Sequence, residues 1–172
     1  MSDSVRQALD ALRDLGTREQ MTEEAAGQEI PRMKVNLHVH LPPNFSAFES
    51  IEQLVGQAAA EGIGVLGVSN YYDFTVYGEF ILQARDVGIF PLFGLEIICM
   101  IDELRDGGVK INDPGNPGKM YICGKGITRF AELTGRASDL IGRIRQADEQ
   151  RMSEMIDKLE AIFADHGVPT GL

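Results

Sequence analysis

Residues 63–69, IGVLGVS, form an unbroken apolar run between two amphipathic segments, and no other feature constrains the fold as strongly. A run of strand length without polar alternation is typical of a strand buried on both faces. The flanking segments, 47–61 and 75–87, have apolar residues at helical spacing, and Ser46 with Glu49 predicts a capping box for the first. Alternating strands and helices indicate right-handed crossovers and a parallel sheet, so the predicted fold class is α/β.

Three further segments are predicted to be strands of this sheet. Residues 33–41, MKVNLHVHL, alternate in polarity and end before two prolines. Because side chains alternate along a strand, this segment should place Val35, Leu37 and Val39 on one side and Asn36, His38 and His40 on the other. Residues 89–101 are predicted to form the third strand or a strand pair, and residues 120–123 the fourth.

The segments outside the sheet predict how the chain is organised. Residues 4–15 have one apolar face and should form a helix, whereas 17–32 are polar and aperiodic and contain a proline near their end. We therefore predict an N-terminal helix and linker over 1–32, followed by one domain over 33–172.

Two long segments in the second half differ sharply in pattern. Residues 102–118 are rich in glycine, proline and aspartate, which is typical of an irregular loop. Residues 138–165 have helical periodicity and would extend for about 40 Å if unbroken. Since this is long for a helix of a barrel, we expect a break in it or a projection beyond the barrel wall.

Composition excludes some function classes. The formal net charge of −10 and the absence of tryptophan argue against a protein that binds nucleic acid. No apolar run approaches the length of a membrane span. Cys99 and Cys123 lie in apolar runs and are too few for a disulfide framework, which is typical of free thiols in a reducing compartment. A cytoplasmic protein is the expected result.

His38 and His40 are the residues most indicative of chemistry. They are two positions apart near the C-terminal end of a predicted strand, so both rings should lie on the same face. Chemistry in barrel enzymes occurs at that end of the strands, and neutral imidazole is a common ligand of divalent transition metals. The alternative is a pair of histidines that are solvated or paired within the core.

The order of several motifs resembles the PHP (polymerase and histidinol phosphatase) family of metal-dependent phosphoesterases. NLHVH at 36–40 resembles its D-x-H-x-H start, and GVSNYYD at 67–73 resembles the element where the family has I-T-D-H. GIFPLFGLEI at 88–97 is similar to the strand that ends in G-x-E, and MYICGKGI at 120–127 to the fourth strand. The resemblance covers about 33–172 and implies the N-terminal half of a distorted seven-stranded TIM-like barrel with parallel strands.

The resemblance implies a metal site, but the few histidines of this chain limit how many ions it could hold. His38 and His40 match the paired histidines that hold one metal, and Glu96 matches the carboxylate that bridges two. Glu96 also ends an apolar strand, where a buried carboxylate needs a compensating cation. With only three histidines in the chain, one or two metal ions are the most these residues could hold.

Four positions depart from the family's motifs. Asn36 replaces an aspartate, Asn70 and Tyr71 replace Asp-His, and Tyr121 occupies the place of a fourth-strand histidine. Ser46 lies near the expected position of another early histidine. We expect Asn36 and Asn70 to orient the metal ligands rather than to bind the ion.

Further polar residues are candidates for roles around the metal. Tyr71, Asp73 and Tyr121 are candidate catalytic residues, and Tyr72 and Lys125 are candidate substrate ligands. For the tyrosines the alternative is core packing with the hydroxyl satisfied at the rim, and for Lys125 it is solvation. The Asp165-His166 pair ends a helix, where a histidine is favourable for electrostatic reasons alone.

Three functions are compatible with these features. The first is a PHP-type hydrolase that uses one or two divalent ions, Zn, Mn or Fe, on a small phosphorylated substrate. The second is a PHP-like binding or regulatory module with degraded metal sites, and the third is an amidohydrolase-type barrel. Four strands make only about half of such a barrel, so a missing C-terminal half or an oligomeric partner is expected.

Overall fold

The computed structural model describes residues 1–29 and 32–170, which form two compact units, Met1–Ala131 and Glu132–Leu172. Pro31, near the end of the predicted linker, lies outside the described residues. In chain order the elements are α1 (Asp3–Arg13), α2 (Arg18–Ala25), β1 (Lys34–Val39), α3 (Ile51–Ala60), β2 (Ile63–Val68), α4 (Tyr77–Asp86), β3 (Phe90–Met100), α5 (Asp102–Asp106), β4 (Lys119–Lys125) and α6 (Gly135–Asp165).

The sheet of the first unit has the strand order β1-β2-β3-β4. Strands β1, β2 and β3 are parallel, as the apolar run at 63–69 predicts, and α3 and α4 connect them. The chain is therefore an α/β protein with a four-stranded sheet that is open along β1 and β4 within the described residues.

The prediction that all four strands are parallel is wrong for β4, which is antiparallel to β3. A parallel connection needs a crossover, usually a helix, but 101–118 contain only the five-residue helix α5. The two ends of this connection meet, because Ile101 N donates to Gly118 O at 2.9 Å. Asp113 stabilises it by accepting from the backbone of Gly115 and by pairing with Lys119 at 2.9 Å.

The core lies on one face of the sheet, under α3 and α4. Helix α1 packs on α4, so this part of the N-terminal segment contributes to the core. Phe93 of β3 contacts the rings of Tyr77, Phe80 and Phe130, with centroids 4.8–5.9 Å apart. Each buried aromatic side chain of this kind removes a large apolar area from water, and this burial stabilises the sheet–helix packing. The main buried side chains are Val5, Ala8, Leu9, Leu41, Ile51, Leu54, Val55, Leu66, Val68, Tyr77, Phe80, Ile81, Ala84, Ile89, Phe93 and Phe130.

Strand β1 contains a bulge that breaks the predicted alternation. Asn36 pairs with Leu66 and Val39 with Val68, so three steps along β1 match two along β2. Asn36 and Val39 therefore both face α3, and both line a cavity there of about 130 Å³. His38 and His40 reach the same carboxylate oxygen and so lie on one side, as predicted, but Asn36 does not share their side.

Two local predictions in the first third of the chain are wrong, and the capping hydrogen bonds show why. Residues 18–25 are helical rather than an irregular linker, because Thr17 and Gln20 form a capping box. The first crossover helix begins at Ile51, with Ser50 as its cap, so the predicted box from Ser46 does not form. The Ser46 hydroxyl instead accepts from Phe48 N at 3.1 Å.

The second unit consists mainly of α6, which is unbroken over 31 residues and about 46 Å long. Of the two predicted alternatives, a break is therefore wrong, and a projection beyond the barrel wall stays a prediction. None of its residues is buried. Its exposed apolar side chains include Leu140, Met152, Met155, Ile156, Leu159 and Ile162. Within the described part of the chain, no helix is both long and apolar enough to cross a bilayer.

Candidate metal centre

Three predicted metal ligands converge at the C-terminal end of β1. His38 Nε2 lies 3.1 Å and His40 Nε2 2.9 Å from the same oxygen, Oε2 of Glu96. The two Nε2 atoms are 3.3 Å apart. Glu96 is 58 positions from His38 in sequence, so the fold brings these atoms together.

The backbone explains why these side chains meet. Strand β3 continues past the end of β2, and Glu96 lies on this extension, where its N–H donates to Asn70 O at 3.1 Å. Asn70 is fully buried and also holds the chain after β1. Its Oδ1 accepts from Leu41 N at 2.7 Å, and its Nδ2 donates to Leu41 O at 3.3 Å. Asn70 thus ties Glu96 and Leu41, the neighbour of His40, to one frame.

The distances fit a cation better than they fit hydrogen bonds alone. Ligand atoms about 2.0–2.1 Å from one ion are about 2.9 Å apart at a right angle and about 3.3 Å apart at the tetrahedral angle. The three observed separations, 2.9, 3.1 and 3.3 Å, fall in this interval. Without a cation, both rings would need a proton on Nε2 to donate to Glu96, and the two protons would face each other.

Burial supports the same interpretation. Glu96 is only 5% exposed, and a buried carboxylate is costly unless a positive charge or several donors compensate it. Burial lowers the pKa of His40 below its usual value, and the charge of Glu96 offsets this only in part. His40 is therefore neutral at pH 7, the form that donates a lone pair to a metal. Its Nδ1 is buried without a hydrogen-bond partner of good geometry, although Asn44 lies beside the ring.

An aromatic wall borders the three ligands. The ring of Tyr71 stacks on that of His40, with centroids 4.7 Å apart, and Phe45 meets His40 edge-on at 6.0 Å. Asn44 fixes Tyr71 by accepting from its N–H at 2.7 Å and donating to its carbonyl at 2.9 Å. Burial and the nearby Glu96 raise the pKa of Tyr71 to about 12, so its phenol stays protonated at neutral pH.

Three further candidate residues make contacts with the surrounding structure. Tyr72 is buried, and its hydroxyl accepts from Ile98 N at 3.1 Å. This contact fits the alternative in which the tyrosine packs in the core with its hydroxyl satisfied. Asp73 accepts from the Thr75 hydroxyl at 2.6 Å and shapes the turn before α4. Tyr121 lies under the ammonium of Lys119, which is 5.0 Å from the ring centroid.

Asn36 and Lys125 act on the backbone near the site. Asn36 Oδ1 accepts from His38 N at 3.1 Å, so it stabilises the bulge rather than the ring of the histidine. The Lys125 ammonium crosses from β4 and donates to Leu37 O at 2.6 Å and to the Ser69 hydroxyl. Burial lowers the pKa of Lys125. His166, the third histidine, caps the end of α6, as expected.

Cys123 is the site residue that the sequence patterns did not reveal. It pairs directly with Glu96 across the antiparallel β3–β4 ladder, and its Sγ lies 3.8 Å from His38 Nδ1. The thiol is exposed rather than packed as a small hydrophobic side chain. Burial of the sulfur and the charge of Glu96 nonetheless raise its pKa. Only the strand direction brings Cys123 here, and no local pattern encodes that direction.

Comparisons with known proteins support the fold. No protein-family model and no curated protein sequence matches the chain. The structure is similar to that of a candidate metal-dependent phosphoesterase from Bifidobacterium adolescentis, with a TM-score of 0.58 and 16% sequence identity. The similarity covers 77% of this chain but only 40% of that protein, so the chain spans less than half of its neighbour's length. At this identity the likeness establishes the fold alone, and PHP membership stays a prediction.

Proposed function

We propose that this chain carries the metal-binding part of a PHP-type phosphoesterase, with His38, His40 and Glu96 holding one divalent ion. The observation that carries the proposal is the convergence of three ligand atoms within 2.9–3.3 Å of one another. The fold similarity to a protein described as a candidate metal-dependent phosphoesterase is consistent with it.

The chain's own groups would divide the work. Neutral imidazoles at His38 and His40 provide two lone pairs, and the buried carboxylate of Glu96 provides the negative charge that balances a cation. A divalent ion held there would polarise a phosphoryl oxygen and make water a better nucleophile at neutral pH. The protonated phenol of Tyr71 is hydrogen-bonded to Glu96 and can orient that carboxylate, and its ring covers one side of His40.

Charge near the site favours an anionic substrate. Lys125 is on the same strand as Cys123, two positions further along. Its ammonium donates to two neutral oxygens, and neither of them carries a negative charge that would neutralise it. A fixed positive charge beside a metal attracts phosphate groups and stabilises charge that develops on them. We therefore propose a small phosphorylated compound as the substrate class.

The alternative is a binding or regulatory module, and one observation favours it. Two positions where the resemblance implies ligands of further metals have structural roles here. Asn70 uses its side chain to hold Leu41, and Tyr121 packs against Lys119. A cluster of several metals would then need ligands other than Asn70 and Tyr121.

Metal content and hydrolysis test the proposal together. The purified protein, His38→Ala and Glu96→Ala would be titrated with Zn²⁺, Mn²⁺ and Fe²⁺ and then assayed by elemental analysis. We expect near-stoichiometric metal in the wild type and affinities at least about 100-fold lower in both variants, because each loses a direct ligand. Hydrolysis of 4-nitrophenyl phosphate and its diester would be measured on the same samples.

His166→Ala is the matched control, since it removes a histidine from the end of α6. It should leave metal content unchanged. Equal metal in wild type, His38→Ala and Glu96→Ala would refute the metal centre. Metal that binds through these residues without any phosphate ester hydrolysis would instead support the regulatory module.

A further inference from the structure

The direction of β4 places a thiol beside the proposed ligands. In an antiparallel ladder, directly paired residues have side chains on the same face, so Cys123 and Glu96 share a face. One ligand atom from each of His38, Glu96 and Cys123 can be chosen so that all three lie within 4.8 Å of one another. The thiol is unbonded to any other cysteine and is exposed.

We propose that Cys123 is a fourth protein ligand of this centre, which makes the donor set two imidazoles, one carboxylate and one thiolate. With four protein ligands, a zinc ion would act on water or substrate by expanding to five-coordinate, as catalytic zinc sites can. The inference rests on the proposed metal centre and adds the chemical class of its ion. A thiolate is a soft donor that favours zinc-like ions, whereas carboxylate and water sites suit Mn²⁺ and Mg²⁺. The predicted ion is therefore Zn²⁺ rather than Mn²⁺.

The chain allows the sulfur to reach the ion. With metal–sulfur and metal–nitrogen bonds of about 2.3 and 2.0 Å, the two ligand atoms are about 3.5 Å apart at the tetrahedral angle. The sulfur now lies 3.8 Å from Nδ1 of His38, whereas the other ligands meet at Nε2 of that ring, so rotation of the exposed side chain about Cα–Cβ has to bring it to the Nε2 side. The thiol proton passes to solvent on binding, since only the thiolate is a ligand.

The position of Cys123 also accounts for a departure from the family's motifs. The resemblance implies a histidine ligand at Tyr121, but that position pairs with Ile98, two residues beyond Glu96. Cys123 is the β4 residue opposite Glu96 and is the better placed donor. The reversed strand thus replaces one ligand position with another.

Cobalt substitution tests this ligand directly. Wild type, Cys123→Ser and Cys99→Ser would be loaded with Co²⁺, and their absorption spectra recorded. Thiolate ligation gives a charge-transfer band in the near ultraviolet, while the visible d–d bands report cobalt in a low-symmetry site whatever its ligands. Cys99 is the matched control. It is three positions after Glu96 along β3, so its side chain lies on the opposite face of the strand, where its Sγ contacts Met120 O.

We expect the charge-transfer band in wild type and Cys99→Ser, and its loss in Cys123→Ser with the d–d bands retained. Zn²⁺ affinity should fall at least about tenfold in Cys123→Ser, while Mn²⁺ affinity changes less than about twofold. Visible bands without the charge-transfer band in wild type would overturn Cys123 ligation and leave the centre standing. Absence of cobalt binding in wild type would overturn both proposals.

Discussion

Two polar clusters lie near the C-terminal ends of β1 and β2, and they differ in whether their polar atoms have hydrogen-bond partners. In the first, here called the asparagine network, Asn70 and Tyr77 are both fully buried. The Tyr77 hydroxyl accepts from Asn70 N at 2.8 Å and donates to Gly94 O at 2.9 Å. With the two bonds to Leu41, each polar atom of these side chains has a protein partner.

In the second cluster, the proposed metal centre, the polar atoms lie close together, and not all of them have a well-placed hydrogen-bond partner. Two imidazole nitrogens and one carboxylate oxygen meet at 2.9–3.3 Å, and Nδ1 of His40 is buried without a well-placed partner. A buried polar cluster that satisfies itself stabilises a fold, whereas one that does not indicates a missing group. The contrast assigns the asparagine network to folding and the histidine–glutamate cluster to a ligand.

The largest expected effect comes from Asn70→Ala. It leaves the N–H of buried Leu41 without its partner and creates a cavity, while the Leu41 carbonyl still accepts from Asn44 N, so the free energy of unfolding should fall by about 3 kcal/mol. Urea denaturation in the presence of a chelator measures this loss. Asn116→Ala, in an exposed turn, is the control and should cost little. If Asn70→Ala kept its stability and lost only metal binding, the two clusters would not be separable.

The next effect in size belongs to the second cluster. At a zinc concentration of about 100 times Kd, binding to the folded state alone should raise the unfolding free energy by about 2.7 kcal/mol. Glu96→Gln should abolish this gain, because it removes the only carboxylate among the described groups that meet there, and it should change metal-free stability little. Urea titrations of both proteins with zinc and with chelator measure it. A zinc gain that survives Glu96→Gln would contradict the assignment.

Much of this architecture could be predicted from local sequence. The apolar run at 63–69 and the helical spacing around it predict the parallel arrangement of β1, β2 and β3, because alternating strands and helices indicate right-handed crossovers. His38 and His40 share a face because they are two positions apart along a strand. Their meeting with Glu96 was predicted from the family resemblance, which assigns all three to one site.

The rest depends on contacts between distant residues. The bulge that turns Asn36 toward α3 arises from close packing, since a Cβ on Gly67 would lie only 2.4 Å from Leu37 O. The reversal of β4 depends on how 101–118 fold back, which their irregular composition does not reveal. Cys123 follows from that reversal. For this reason the ligands near the strand ends were predictable and the one contributed by the reversed strand was not.

A smaller effect, from Tyr77→Phe, separates the clusters further. The change removes one hydroxyl and leaves Asn70 N and Gly94 O unpaired in the interior, so the unfolding free energy should fall by about 2 kcal/mol. Zinc affinity should stay within about twofold, since the hydroxyl touches neither imidazole. Denaturation and zinc titration on one preparation measure both values. A large loss of zinc affinity at full stability would show that Tyr77 serves the metal centre.

The smallest expected effect concerns backbone strain beside the metal centre. Phe45 has a positive φ of 52°, costly for a residue with a side chain, and it is 81% exposed. Phe45→Gly removes that cost and loses little burial, so the unfolding free energy should rise by about 0.5 kcal/mol despite the greater entropy of the unfolded chain. Phe48→Gly, at a partly buried position packed on the core, is the contrasting control and should be destabilising. If Phe45→Gly instead lowers stability, the contact of its ring with His40 outweighs the strain, and the aromatic wall belongs to the fold as much as to the site.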